Sequence, residues 1–315
     1  MSLSNALFER LFWLGKNLRN YRAPWRTRLQ VRLGRPLVAV ADRRTGLAFR
    51  VLPGAELMFG EAFHARLYDI PLCPVRPGDL VLDVGANHGF TACRFAHAGA
   101  EVIAFEPSPR VFPRLEDNVR RNGFAERIEL RQEAVTAEDG EVTLFETDDA
   151  GGGMNTVLEA FKENAPAHYR PGVAVPAVGI ANVLAGLGAR RVRLLKMDCE
   201  GSEWGIFHAL TPELRGRIDS IAFEFHPEAY AFDDLVEHLL GWEGFHFSQP
   251  STVECGNAVL HLVRAEAILG WCGRGEAGSG GAREAGDREE SRGIPSGAAE
   301  ASSPPVRASS PGAQA

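Results

Sequence analysis

From residue 79 to residue 264 the chain alternates short apolar runs of strand length with stripes of helical spacing, and that alternation leaves few folds open. "DLVLDVG" is followed by a helix expected from about Phe90 to His97. "EVIAFEP" is followed by a second helix, with Ser108 as N-cap, Pro109 at its first position, the stripe Val111, Leu115, Val119, and Gly123 as its stop. "RIELRQ", "VRLLKMD" and "SIAFEFH" continue the series, and "FHFSQ" and "AVLHLVR" close it, with a helix expected near Phe232 to Leu240 ahead of that pair. Strands that alternate with helices predict an α/β fold, a mostly parallel, doubly wound sheet covered on both faces.

Ahead of this series, "LVAVADRRTGLAFRVL" reads as a hairpin closed by Gly46, and Leu7, Leu11, Leu14 and Leu18 recur at helical spacing. From Gly273 onward the chain is Gly, Ala, Ser, Pro, Glu and Arg, with too few large apolar residues to offset its ordering entropy, so a disordered tail is expected. The expected division is a basic helix-and-hairpin extension (1–54), the α/β domain (55–272) and the tail (273–315). Charge follows the same division. Residues 1–50 hold eleven Lys/Arg against two acids, whereas residues 51–272 hold eighteen against thirty-three. An acidic body argues against nucleic acid as its ligand. No apolar run reaches the roughly 18 residues that a membrane helix needs, and charges interrupt the start where a signal peptide would be apolar. Membrane contact through the basic start therefore ranks below a helix that covers the domain. Five scattered cysteines, never in metal-ligand spacing, point to a reduced, cytoplasmic chain without structural zinc.

In a doubly wound sheet the ligand sits beyond the carboxyl ends of the strands, at the turn after the first of them. "DVGANHG" occupies that place. Gly85 and Gly89 permit a tight turn, and the helix behind it offers backbone N–H groups. Asp83 lies inside the strand, where a lone carboxylate is costly unless it meets a polar or cationic ligand or the loop N–H groups. Glu106 ends the next strand, where an acid accepts both ribose hydroxyls of a nucleoside. A dinucleotide turn has G-x-G-x-x-G, but here Asn87 and Phe90 stand at the second and third glycine positions. Those departures suit an adenosine ligand without phosphate and with a positive end, which is the character of S-adenosylmethionine.

The strings "DLVLDVGANHG", "VIAFEPSP", "LEDNVRRNG" and "LLKMDCEGSE", in that order, resemble the FkbM-type S-adenosylmethionine-dependent methyltransferases over roughly residues 55 to 264. The resemblance implies the class I, Rossmann-like methyltransferase fold of seven strands with the last antiparallel. It also implies O-methylation, often of sugar or polyketide hydroxyls, so the expected partner is a small-molecule or glycan acceptor. By position it implies that Asp83, Gly85, Asn87 and Gly89 line the methionine end of the cofactor, Glu106 its ribose, and Glu133 and Ala134 its adenine. "FGEAFHARLY" resembles the family's segment ahead of the first strand, which brings Glu61 and Tyr68 to the pocket. The long tail and the glycine-rich "DDAGGGMNTV" depart from the family pattern.

"KMDCEGSEW" supplies a second acidic group. Residues two apart on a strand share a face, so Lys196 pairs in direction with Asp198, and Glu224 with His226. Parallel neighbours are then expected to set Lys196 beside Glu224 and Asp198 beside His226. On that register His226 is the general base, Asp198 fixes its tautomer, Glu224 completes the catalytic group, and Lys196 neutralises Glu224 or Glu200. A magnesium ion on Asp198, Glu200 and His226 is the second choice. Cys199 between two acids is expected to be a filler, and Trp204, Ile206, Phe207 and Leu210 core. The rival readings are an NAD(P)-dependent oxidoreductase and a non-catalytic binding protein of the same fold.

Overall fold

The computed structural model describes residues 32–33, 37–148, 151–164, 167–252 and 258–272. The amphipathic stripe expected at the start and the tail expected from 273 lie outside the described residues. Strands β1 (Val38–Ala41) and β2 (Ala48–Val51) form the expected antiparallel hairpin, its turn held by the Asp42 carboxylate, which accepts from the Thr45 amide. The hairpin is fastened to the domain by amides. Asn122 Oδ1 accepts from Ala48 N and Asn118 Oδ1 from Arg50 N. Helix α1 (Glu56–Gly60) continues into a single wider turn, Glu61–Ala65, that stops at Arg66 with φ +54°.

The alternating series follows: β3 (Leu80–Val84), α2 (Phe90–His97), β4 (Glu101–Phe105), α3 (Phe112–Arg121) and β5 (Ile128–Arg131). Next come β6 (Ala134–Thr136), β7 (Gly140–Leu144), α4 (Glu159–Asn164), β8 (Val173–Gly179) and α5 (Ile180–Gly186). The chain then runs through β9 (Leu194–Met197), α6 (Glu203–Ala209), α7 (Pro212–Arg215), β10 (Ser220–Phe225) and α8 (Phe232–Leu240). It closes with β11 (Phe245–Thr252), β12 (Ala258–Arg264) and α9 (Ala265–Cys272).

Seven strands form one sheet in the order β11-β12-β10-β9-β3-β4-β5, and β12 runs antiparallel to both of its neighbours. The fold is therefore the expected mostly parallel, doubly wound sheet with its last strand reversed. Its central strands β3, β9, β10 and β12 are buried on both faces because helices cover both. In β3, Val81 faces one apolar layer with Phe49, Phe59 and Phe90, while Leu82 and Val84 face the other with Leu195, Met197 and Phe223. Each of these large side chains contributes about 1.5–3 kcal/mol by its burial. The chain leaves β3 toward β4 and β5 on one side and returns to β9 and β10 on the other, so strand order reverses between β3 and β9. That reversal opens the crevice in which such folds bind ligands.

Two details differ from the expectation. The helix after β4 starts at Phe112, not at Pro109, because Ser108 first closes a turn: its hydroxyl oxygen accepts from the Val111 amide at 3.0 Å and its carbonyl from Phe112. A second sheet, β6-β8-β7, lies in the chain between β5 and β9. Among the described residues no helix is long and apolar enough to cross a membrane.

Candidate active site

A cavity of about 450 Å³ opens at the carboxyl ends of β3, β4, β9 and β10. Glu61, Tyr68, Gly85, Asn87, Glu106, Glu133, Ala134, Asp198 and Glu224 all line it. Asp83, Gly89 and His226 are not among its lining residues.

The glycine turn is shaped by backbone that side chains rarely tolerate: Gly85 at φ +74°, Asn87 at +48° and Gly89 at +83°. A Cβ on Gly85 would overlap the carbonyl oxygen of Asp198, so only glycine lets β3 and β9 meet here. Gly89 does not face the ligand side; it caps α2 against Leu115. The turn's amides are already spent. Gly85 N and Ala86 N donate to Phe105 O, Gly89 N to Ala86 O, and Asn87 N to Glu106 Oε2 at 2.9 Å. At those four positions of the turn no amide is left for a ligand.

Glu106 also accepts the Ser108 amide at 2.9 Å. Burial pushes its carboxyl up to about 7, against the pull of those two amides. Glu133 is held by Arg131 at 3.4 Å and leads into Ala134 at the start of β6. The glycine-rich segment forms a wall of the cavity through Gly152, Gly153, Met154, Asn155 and Val157. It is tied to the turn by Asn87 Nδ2, which donates to Gly152 O at 3.2 Å.

Asp83 is fully buried, and its cation is part of the protein. Lys196 Nζ stands 3.1 Å from Asp83 Oδ1. This corrects two expectations at once. Asp83 is buried outside the cavity lining, and Lys196 neutralises Asp83 in place of Glu224 or Glu200. Lys196 is itself buried, and its amine is held above its ordinary value by Asp83 and Asp198, which outweigh burial.

The β9–β10 register explains the rest. Lys196 is opposite Ala222 and Met197 opposite Phe223, so Asp198 comes beside Glu224, and His226 lies one pair further along. The slip is by two residues, which keeps every side chain on its expected face but changes its neighbour. Tyr68 donates its hydroxyl to Asp198 Oδ2 at 2.8 Å, and the same oxygen is 3.5 Å from Glu224 Oε2. Glu61 joins this group. Burial first, then the charges of Asp198 and Glu224, push it up to about 8.

His226 is 1% exposed, with Nδ1 3.3 Å from Glu203 Oε2, Nε2 3.3 Å from Glu200 Oε2 and Asp198 4.0 Å away. Burial alone would lower its pKa, but Glu203 and Glu200 outweigh burial and hold it well above the ordinary imidazole value. His226 stands outside the cavity lining, and its ring partners are Glu203 and Glu200 in place of the expected Asp198. Donor atoms of Asp198, Glu224 and His226 lie within 4.8 Å of one another, a grouping with Glu224 in the place expected for Glu200. Burial and Glu203 drive the Cys199 thiol far up, in keeping with a filler.

Glu203 is the residue that the sequence reading missed. It is fully buried and accepts from Cys199 N at 2.7 Å and Gly201 N at 2.9 Å, which shapes the loop that carries Asp198 and Glu200. An acid at the first position of a helix, two residues after a glycine and directly after a serine N-cap, is the signal that could have found it.

Residues 83–248 match the Methyltransferase FkbM domain. The chain is 29% identical over 245 residues to the 31-O-demethyl-FK506 methyltransferase FkbM of Streptomyces tacrolimicus, across 69% of this chain and 91% of that protein. It is 24% identical over 238 residues to the methyltransferase sdnD of Sordaria araneosa, across 68% and 90%. Among solved structures, the magnesium protoporphyrin IX methyltransferase ChlM from Synechocystis PCC 6803 with bound SAM is similar over 67% of this chain and 78% of that one, at 15% identity and a TM-score of 0.37.

Proposed function

The chain belongs to the family of S-adenosylmethionine-dependent methyltransferases that carry the FkbM domain, and from that premise we propose that it methylates a hydroxyl oxygen of a sugar, glycan or secondary metabolite. The observation that carries this reading is the charge of the cavity wall. Seven acidic side chains line it (Glu61, Glu106, Glu133, Asp198, Glu200, Glu224 and Glu228), of which burial pushes Glu61, Glu106 and Glu200 up, against one basic side chain, Lys196, whose charge is taken by Asp83. Such a wall fits a sulfonium and an ammonium, and it repels a phosphate. A nicotinamide dinucleotide would meet neither turn amides with a free N–H at positions 85–87 nor an unpaired lining cation among the described residues.

When bound, S-adenosylmethionine supplies an electrophilic methyl group. We assign Glu106 to its ribose hydroxyls, Glu133 and Ala134 to its adenine, and Gly85, Asn87, Glu61 and Tyr68 to its amino-acid end. Asp198 and Tyr68 then fix the acceptor end, and Glu224 Oε2 takes the proton of the hydroxyl. The Tyr68 hydroxyl lies closer to Asp198 Oδ2, at 2.8 Å, than to Glu224 Oε2, at 3.5 Å, which supports Glu224 as the acceptor of the proton. Met58, Met154 and Val157 offer the apolar wall that excludes water. Holding the reactants in line supplies about 7–11 kcal/mol, and the base a further factor of about 10²–10⁴. The S. tacrolimicus relative is named for methylation at an oxygen, which supports the same choice of atom. The acid wall also supports an uncharged or amine-bearing acceptor and disfavours nucleic acid. Buried free thiols at Cys73 and Cys93 support a reducing, cytoplasmic setting.

Calorimetry checks the binding half. S-adenosylhomocysteine binds and NADP does not, and its affinity rises between about pH 6 and pH 8 as Glu106, pushed up to about 7, gains its charge. Turnover of labelled methyl donor on hydroxyl compounds, each supplied free and as its phosphate ester, checks the acceptor. Methylation of the free members supports the reading. Equal or better methylation of the phosphates, or no turnover with any hydroxyl, speaks against it.

A further inference from the structure

Lys196 has more partners than its counter-ion. Its Nζ donates to Gly85 O at 2.8 Å and to Val84 O at 3.2 Å, faces Asp83 at 3.1 Å and Asp198 at 3.8 Å, and lies 5.1 Å from the centre of the Tyr68 ring. One ammonium on β9 therefore gathers the two carbonyls at the end of β3, the carboxylate beneath them and the acid beside them. An amine that only neutralised Asp83 would need none of the carbonyl contacts. These carbonyls belong to the residues that turn the chain into the cavity, where Gly85 lies against the backbone of Asp198 with no room for a side chain. The amide of Asp198 in turn donates to Val84 O at 3.2 Å. Lys196 and the Asp198 amide thus share one carbonyl, and the tether spans the point where strand order reverses.

We propose that Lys196 is a positioning residue for the cofactor: its ammonium, through Val84 O and Gly85 O, fixes the glycine turn against Asp198 so that the two walls of the cofactor site keep their spacing. The proposal rests on reading this cavity as the S-adenosylmethionine site.

The test must separate the tether from the charge pair. Lys196→Met alone strands the buried Asp83 carboxylate and is expected to destabilise the protein severely, so the comparison is made on an Asp83→Asn background that has no carboxylate to strand. Three full-length proteins, D83N, D83N/K196M and D83N/K196Q, are titrated calorimetrically with S-adenosylhomocysteine, and their thermal unfolding is recorded beside that of K196M. D83N/K196M is expected to unfold at a higher temperature than K196M, yet to bind at least about tenfold more weakly than D83N. D83N/K196Q, which keeps an N–H donor without the charge, is expected to recover part of that loss. Equal affinity of D83N/K196M and D83N, or of the Met and Gln proteins, overturns the proposal. Failure of the parent chain to bind S-adenosylhomocysteine would instead overturn the reading of the cavity.

Discussion

Glu224→Gln lowers methyl transfer by about 10²–10⁴-fold while leaving S-adenosylhomocysteine affinity close to that of the parent. The glutamine amide has nearly the shape of the carboxylate but cannot take a proton at neutral pH, so the substitution removes the base and little else. Asp198→Asn differs in a way that separates the two roles. It disturbs the acceptor of the Tyr68 hydroxyl and a carboxylate 3.8 Å from Lys196, so it weakens cofactor binding as well as turnover. Single-turnover rates with saturating labelled donor, read beside calorimetric affinities, distinguish the pair. Undiminished turnover in Glu224→Gln moves the base to another group, with Asp198 and Glu61 the nearest on the wall.

Glu203→Ala destabilises the fold by about 3–5 kcal/mol, the cost of leaving a buried charge without its partner. Glu203 carries three bonds at once, to the amides of Cys199 and Gly201 and to the His226 ring, and none is replaced by water because the carboxylate is fully buried. The pH dependence identifies the ion pair. Burial would raise Glu203, but His226 and the amides hold it below its ordinary 4.5, so its share of stability is present above about 4.5 and is lost as pH falls through the lowered value. His226 is raised, so its share is complete below the unfolded value of 6.5 and is lost as pH rises through the folded value. The gap between parent and Glu203→Ala in urea unfolding is therefore widest between about pH 5 and pH 6.5 and narrows at alkaline pH. A gap that stays constant from pH 5 to strongly alkaline pH would mean that the pair is not charged.

The seven-stranded sheet was legible in the sequence because strands buried on both faces read as unbroken apolar runs, as "LVLDV" and "SIAFEF" do. The β6-β8-β7 sheet was not. Its strands are short and half exposed, and Pro176 interrupts the longest of them. The cavity wall was legible at Gly85, Asn87 and Glu106, since a turn at a strand end fixes their place. What alternation could not supply was register. Period two assigns Lys196, Asp198, Glu224 and His226 to one face, but a slip of two leaves that pattern unchanged while exchanging every partner. Asp83 shows the same limit in another form. That a lone strand acid needs a polar or cationic partner was readable, but the reading looked for it in a ligand or the loop amides, and that it would be Lys196, far along the chain, depended on which strands become neighbours.

The central claim, transfer of a methyl group to a hydroxyl oxygen at a carboxylate-lined site, is tested most directly by the atom that receives the label. With a ¹³C-methyl donor and an acceptor bearing both a hydroxyl and an amine, the product's carbon resonance reports that atom, and the same reaction is run with Glu224→Gln. The prediction is an O-methyl ether from the parent and little or none from the variant. A methyl group on nitrogen or carbon, or an equal yield of ether from both proteins, would contradict it.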